Sequence, residues 1–172
     1  QLELQLPDNE VFEDLVPRLV RIAPGEPVEI LAIVSRRHDG ARLVLIRQVS
    51  DRLEISAETP SVGTPMRWLN PVGVADLDGD GRAEVAMVTT PHIGGVLRGF
   101  RRDGRQLVEV ASQAGFSNHV YGSTELALST PAVFKGRMSL LVPDFGLRHL
   151  RILILQGDGL LEVARCALPA KV

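Results

Sequence analysis

The chain has 172 residues, 45% of them apolar, and a formal charge of −2. That is enough for one folded domain with a substantial core, and Lys, Arg, Asp and Glu are interspersed, so no basic field gathers nucleic acid and no polybasic patch meets a membrane. No apolar run approaches the roughly 20 residues of a bilayer-spanning helix, so direct membrane insertion is not expected and the chain reads as soluble.

Gln1-Leu2-Glu3-Leu4-Gln5-Leu6 alternates as a strand does and lacks the basic and apolar regions of a signal peptide. A mature periplasmic or secreted protein would start the same way. Beyond it, short apolar and β-branched runs fall at 15–22, 28–34, 42–49 and 52–57, with Asp39-Gly40 as a turn. Similar runs follow at 72–75, 84–90, 95–101 and 106–111, and again at 125–133, 138–142, 149–155 and 160–167, after a connector at 112–124. No helical periodicity persists, so the fold class is all-β.

Sliding the chain by about 55 residues lays Ile30-Leu31-Ala32-Ile33 under Val85-Ala86-Met87-Val88 and Glu29 under Glu84. The same shift brings Asp103-Gly104 onto Asp158-Gly159. Four antiparallel strands per unit of this length is the geometry of a β-propeller blade, which predicts a single propeller portion with blades at about 12–58, 68–112 and 124–168 and an extra N-terminal strand over 1–6. Rings need roughly 4–8 blades. Partner blades are therefore expected from a second chain, a homo-oligomer or a larger complex, through Leu15 to Ile55 of the first unit and Leu126 to Leu168 of the third.

Asp76-Leu77-Asp78-Gly79-Asp80-Gly81-Arg82-Ala83-Glu84 lies between two predicted strands. Carboxylates at alternate loop positions turn hard oxygen donors towards one point, which suits calcium, while Gly79 and Gly81 permit the tight path and Leu77 can enter the core. An EF-hand needs Glu at its twelfth position; here that position is Met87. The bland alternative is a solvated Asp/Gly turn, in which the like charges would repel without a cation.

Val74-Ala75-Asp76-Leu77-Asp78-Gly79-Asp80-Gly81-Arg82-Ala83-Glu84-Val85 resembles the FG-GAP/VCBS repeat of integrin α-subunit propellers and bacterial exported proteins. The resemblance implies calcium held by Asp76, Asp78, Asp80, the Arg82 carbonyl and Glu84, in a blade serving adhesion, ligand binding or assembly. The other units depart from it, with Arg21, Ala23 and Gly25 in the first and Pro131, Val133, Lys135 and Ser139 in the third, so one Ca²⁺ per chain is expected. Cytosolic calcium is too scarce to fill a weak site, which points to a periplasmic or extracellular setting.

Cys166 is the only cysteine, which excludes an internal disulfide and a cysteine zinc site; its alternating surroundings predict a packed thiol. His38 and His149 read as surface residues. His92, His119 and Asn118 sit in loops or connectors and are candidates for a ligand or interface site. Trp68 and Tyr121 are expected to pack between blades. Ser117 and Ser123 lack the setting of a nucleophile. Two functions stand: a non-catalytic calcium-binding recognition or assembly module, and an enzyme or enzyme accessory subunit with a His-containing site on the propeller axis.

Overall fold

The computed structural model describes residues 2–169. Among them are thirteen strands and no helix: β1 (Glu10–Phe12), β2 (Arg18–Val20), β3 (Glu29–Arg36), β4 (Gly40–Val49), β5 (Arg52–Glu58), β6 (Leu69–Ala75), β7 (Glu84–Thr89), β8 (Val96–Asp103), β9 (Gln106–Ala114), β10 (Thr130–Phe134), β11 (Arg137–Pro143), β12 (His149–Gln156) and β13 (Gly159–Ala167). The chain is all-β, with curled sheets. Successive strands pair antiparallel in three runs of four, β2 to β5, β6 to β9 and β10 to β13. The first and second runs also meet edge to edge through one parallel pair, Glu58 with Gln106.

Alternation along each strand sends neighbouring side chains to opposite faces. On β7, Val85 and Met87 join a core with Leu31, Ile33, Leu43 and Leu45 of the first sheet. Ala86 and Val88 turn the other way, into a core with Phe116 and with Leu140, Val142, Leu153 and Leu155 of the third. The second sheet is thus covered on both faces, which is why β7 is apolar at its four central positions, Val85 to Val88.

The strand that opens the first sheet is split. β2 pairs with Glu29–Leu31 and β1 with Val34–Arg36. Between them the Glu13 N–H donates to the Ile33 carbonyl at 3.0 Å, and the Asp14 carboxylate accepts the Ile33 N–H at 2.8 Å, so a side chain continues the ladder. Residues 2–6, expected as a strand, form no ladder. Leu4 and Leu6 instead pack on the outer face of the first sheet with Ala32, Val34, Val44 and Ile46. Gln1 lies outside the described residues.

Two buried glutamates open β3 and β7, and β8 answers both. Arg101 faces one side and binds Glu84; Arg102 faces the other and binds Glu29 of the first sheet at 2.8 Å. Glu29 is 2% exposed, so removing its partner leaves an unpaired charge in the core. We expect Arg102→Ala to cost about 3–5 kcal/mol in urea unfolding. Loss of Arg52, which meets Glu54 at the surface, should cost under about 1 kcal/mol.

β13 carries a surface-exposed Cys166, which corrects the expected packed thiol: the outermost strand meets solvent near its end. On the same strand Glu162 accepts hydrogen bonds from Arg165 and Arg151. Arg165 first, then Arg151, outweigh partial desolvation and lower its pKa from 4.5 to about 2. The folded chain therefore binds fewer protons than the unfolded one in that window, and this stabilisation is complete above pH 4.5 and lost as pH falls towards 2. Glu162→Gln should flatten that part of the pH–stability curve; an unchanged slope would show that Glu162 is not its source.

Candidate functional site

The acidic loop joins β6 to β7 with Gly79 and Gly81 both at positive φ, 84° and 89°, where a side chain would be strained. Its carboxylates are pinned by the loop's own backbone. Asp76 accepts the N–H groups of Gly79 and Gly81 at 2.8 and 3.0 Å, Asp78 that of Asp80 at 3.1 Å, and Asp80 that of Arg82 at 2.7 Å. Leu77 is buried in the second core, and its N–H donates to Glu84 at 2.9 Å.

Carboxylate oxygens of Asp76, Asp78 and Glu84 lie within 4.8 Å of one another. Asp80 stands outside this triad, exposed, with its carboxylate turned into the loop. An all-oxygen donor set fits a hard divalent cation. Sequence reasoning missed the local counter-charge, Arg101, whose guanidinium donates to Glu84 at 2.7 and 3.0 Å and also to Asp78. Glu84 foremost, against some desolvation, raises the Arg101 pKa. A signal existed: strands at 84–90 and 95–101 in one hairpin place Glu84 opposite Arg101.

A second cluster forms where the β7–β8 turn meets the connector after β9. Gly95 allows this approach, because a Cβ there would collide with the Phe116 carbonyl oxygen. The connector is then clamped to β6: Asn70 donates to the carbonyls of Asn118 and Leu126 at 3.1 and 3.0 Å, and Asn118 donates back to the Asn70 carbonyl at 3.1 Å and to Ser129 at 3.0 Å. Asn118 is fully buried in this clamp and has no surface to offer a ligand.

The clamp sets the next residue, His119, against His92. Nε2 of His92 lies 2.6 Å from Nδ1 of His119, and Nε2 of His119 lies 2.9 Å from the Ser123 carbonyl. A carbonyl only accepts, so His119 carries its proton on Nε2 and His92 donates to it. Trp68 stacks on His92 with centroids 6.2 Å apart and meets His119 edge-on at 5.0 Å. Burial first, then the neighbouring imidazole, lowers the His92 pKa. Tyr121 touches the edge of His92 but is 86% exposed, which corrects its expected packing between sheets. Trp68 does pack against the first core. A cleft of about 700 Å³ opens beside Trp68, lined by Arg36, Arg37 and Arg67 with Asp8 and Glu13.

His38 is exposed. His149 pairs with Asp144 at 2.8 Å. These features define an all-β chain bearing a pinned acidic loop and a histidine–aromatic cluster. No protein-family model matches it, and comparison with curated proteins finds no match.

We expect Asn118→Ala to destabilise the chain by about 1–3 kcal/mol, since it strands buried backbone carbonyls. Hydrogen exchange should quicken along 116–129 before it does in β7. Uniform quickening would show that the connector is not held independently.

Proposed function

We propose that the chain is part of a calcium-binding β-propeller of the FG-GAP/VCBS kind, a non-catalytic module for protein–protein recognition or assembly in a periplasmic or extracellular setting. What carries the reading is the convergence of Asp76, Asp78 and Glu84 within 4.8 Å, in the loop between the first two strands of a four-stranded sheet. In this reading those carboxylates hold the ion, with Asp80 and the Arg82 carbonyl completing the oxygen set. When bound, calcium supplies the positive charge that ties the loop's carboxylates together. The three four-stranded runs serve as blades, and further blades come from a second copy or a larger complex.

The competing reading, an enzyme or enzyme accessory, draws on the His92–His119 pair. With His119 committed at both nitrogens, Nδ1 of His92 would be its base.

Calorimetry tests the main reading. One calcium per chain is expected, with a dissociation constant on the order of 10⁻⁴ to 10⁻³ M. Asp78→Ala should abolish binding while leaving the far-ultraviolet dichroism in place. Arg101→Gln should tighten it, because a cation that competes for Glu84 and Asp78 is gone. Unchanged binding in Asp78→Ala would sink the metal assignment. Light scattering should give a mass above that of one chain; a strict monomer at high micromolar concentration would remove the assembly part.

A further inference from the structure

His92 and His119 are 27 positions apart in sequence, yet two ring nitrogens face each other at 2.6 Å. An ordinary imidazole pair needs only one donor and one acceptor, but two further features suit a different task. His119 gives its other N–H to a backbone carbonyl, an arrangement that metal-bound histidines use to fix tautomer and ring orientation. Its Nδ1 therefore presents a lone pair. Among the described residues no carboxylate joins the pair, and the acidic group close enough to gather an ion, Asp76, Asp78 and Glu84, lies at the other end of β7.

We propose that His92 and His119 form a second metal site, distinct from the acidic loop, for a borderline divalent ion of the Zn²⁺, Cu²⁺ or Ni²⁺ class. Imidazole nitrogens without carboxylates select these ions over calcium or magnesium. Metal–nitrogen bonds near 2.0–2.1 Å place two tetrahedral ligands about 3.3 Å apart, so the pair must open by about 0.7 Å. His92 makes that move. It sits half-buried in the turn before Gly94 and Gly95, whereas His119 is 8% exposed and held by the Asn118 clamp and Ser123.

The protons balance without a net change. His92 gives up the Nε2 proton that it shares with His119 and takes one from water on Nδ1. Nε2 of His92 and Nδ1 of His119 become the protein ligands, and water fills the remaining positions on the exposed side.

Trp68 is the chain's only tryptophan and touches both rings, so its emission reports directly on the site. Cu²⁺ titrated into the full chain should quench that emission saturably at one equivalent. Zn²⁺ should compete, EDTA should reverse the effect, and Ca²⁺ should leave it unchanged. His92→Gln should weaken saturable quenching at least about tenfold. Asp78→Ala, which removes the proposed calcium site, should leave it intact, so the two sites fail separately. An unchanged emission maximum and circular dichroism establish that His92→Gln is folded; should it not be, electron paramagnetic resonance of the Cu²⁺-loaded wild-type chain must show coupling to two nitrogens. Equal quenching in His92→Gln, no saturation, or a signal without nitrogen coupling would overturn the site.

Discussion

Every side chain of β7 from Glu84 to Thr89 is buried, and this places a condition on everything packed around it. A strand covered on both faces cannot send polar side chains to water by alternation, so its residues must be apolar or be matched inside the protein. Val85 and Met87 satisfy the condition on one side, Ala86 and Val88 on the other. The sheets before and after it offer apolar faces in turn: Leu31 and Ile33 from β3, Leu153 and Leu155 from β12. Phe116, fully buried at the second of these seams, lies under the guanidinium of Arg151 at 4.0 Å. The connector thus contributes to the core as well as to the histidine cluster.

The exceptions to apolarity are charged and local. Glu84 and Glu29 are buried at the starts of their strands, and consecutive arginines on β8 reach one glutamate each because a strand points alternate residues to opposite faces. At Glu84 the same arginine also reaches the acidic loop, which couples the charge balance of the loop to the packing of the sheet. Glu29 has no such loop beside it. Its carboxylate is occupied by Arg102 and by the Ser56 hydroxyl.

Much of the strand pattern was legible because period-two alternation and Asp-Gly turns are local. β3 to β5, β7 to β9 and β11 to β13 fall within a few residues of where the apolar runs place them. β1 escaped notice, since Glu10, Glu13 and Asp14 make its neighbourhood read as polar; Glu10 and Asp14 are instead used inside, Glu10 by Arg36 and Arg42 and Asp14 by the Ile33 N–H. The opposite error arose at residues 2–6, where Leu4 and Leu6 alternate like a strand but use that alternation to cover a face without pairing. Exposure of Cys166 was not readable, because alternation does not say which side of an outermost strand meets another layer, and Tyr121 lies in a turn of the connector, where no alternation applies. The approach of His92 to His119 depends on Gly95 admitting the Phe116 backbone, a contact between distant segments that no local pattern announces.

The first two sheets are joined along their edges by one backbone pair, Glu58 with Gln106, whereas β3 and β4 share seven paired residues. Resistance to force is therefore directional. A load that shears β3 along β4 must break a whole ladder together, while one that peels the first sheet from the second meets side-chain contacts, the Glu29–Arg102 ion pair and isolated backbone hydrogen bonds, from the Ala83 N–H to the Ile22 carbonyl and from the Glu58 N–H to the Arg105 carbonyl. Under lateral tension the seam between the first two sheets is therefore expected to yield before the ladders within them.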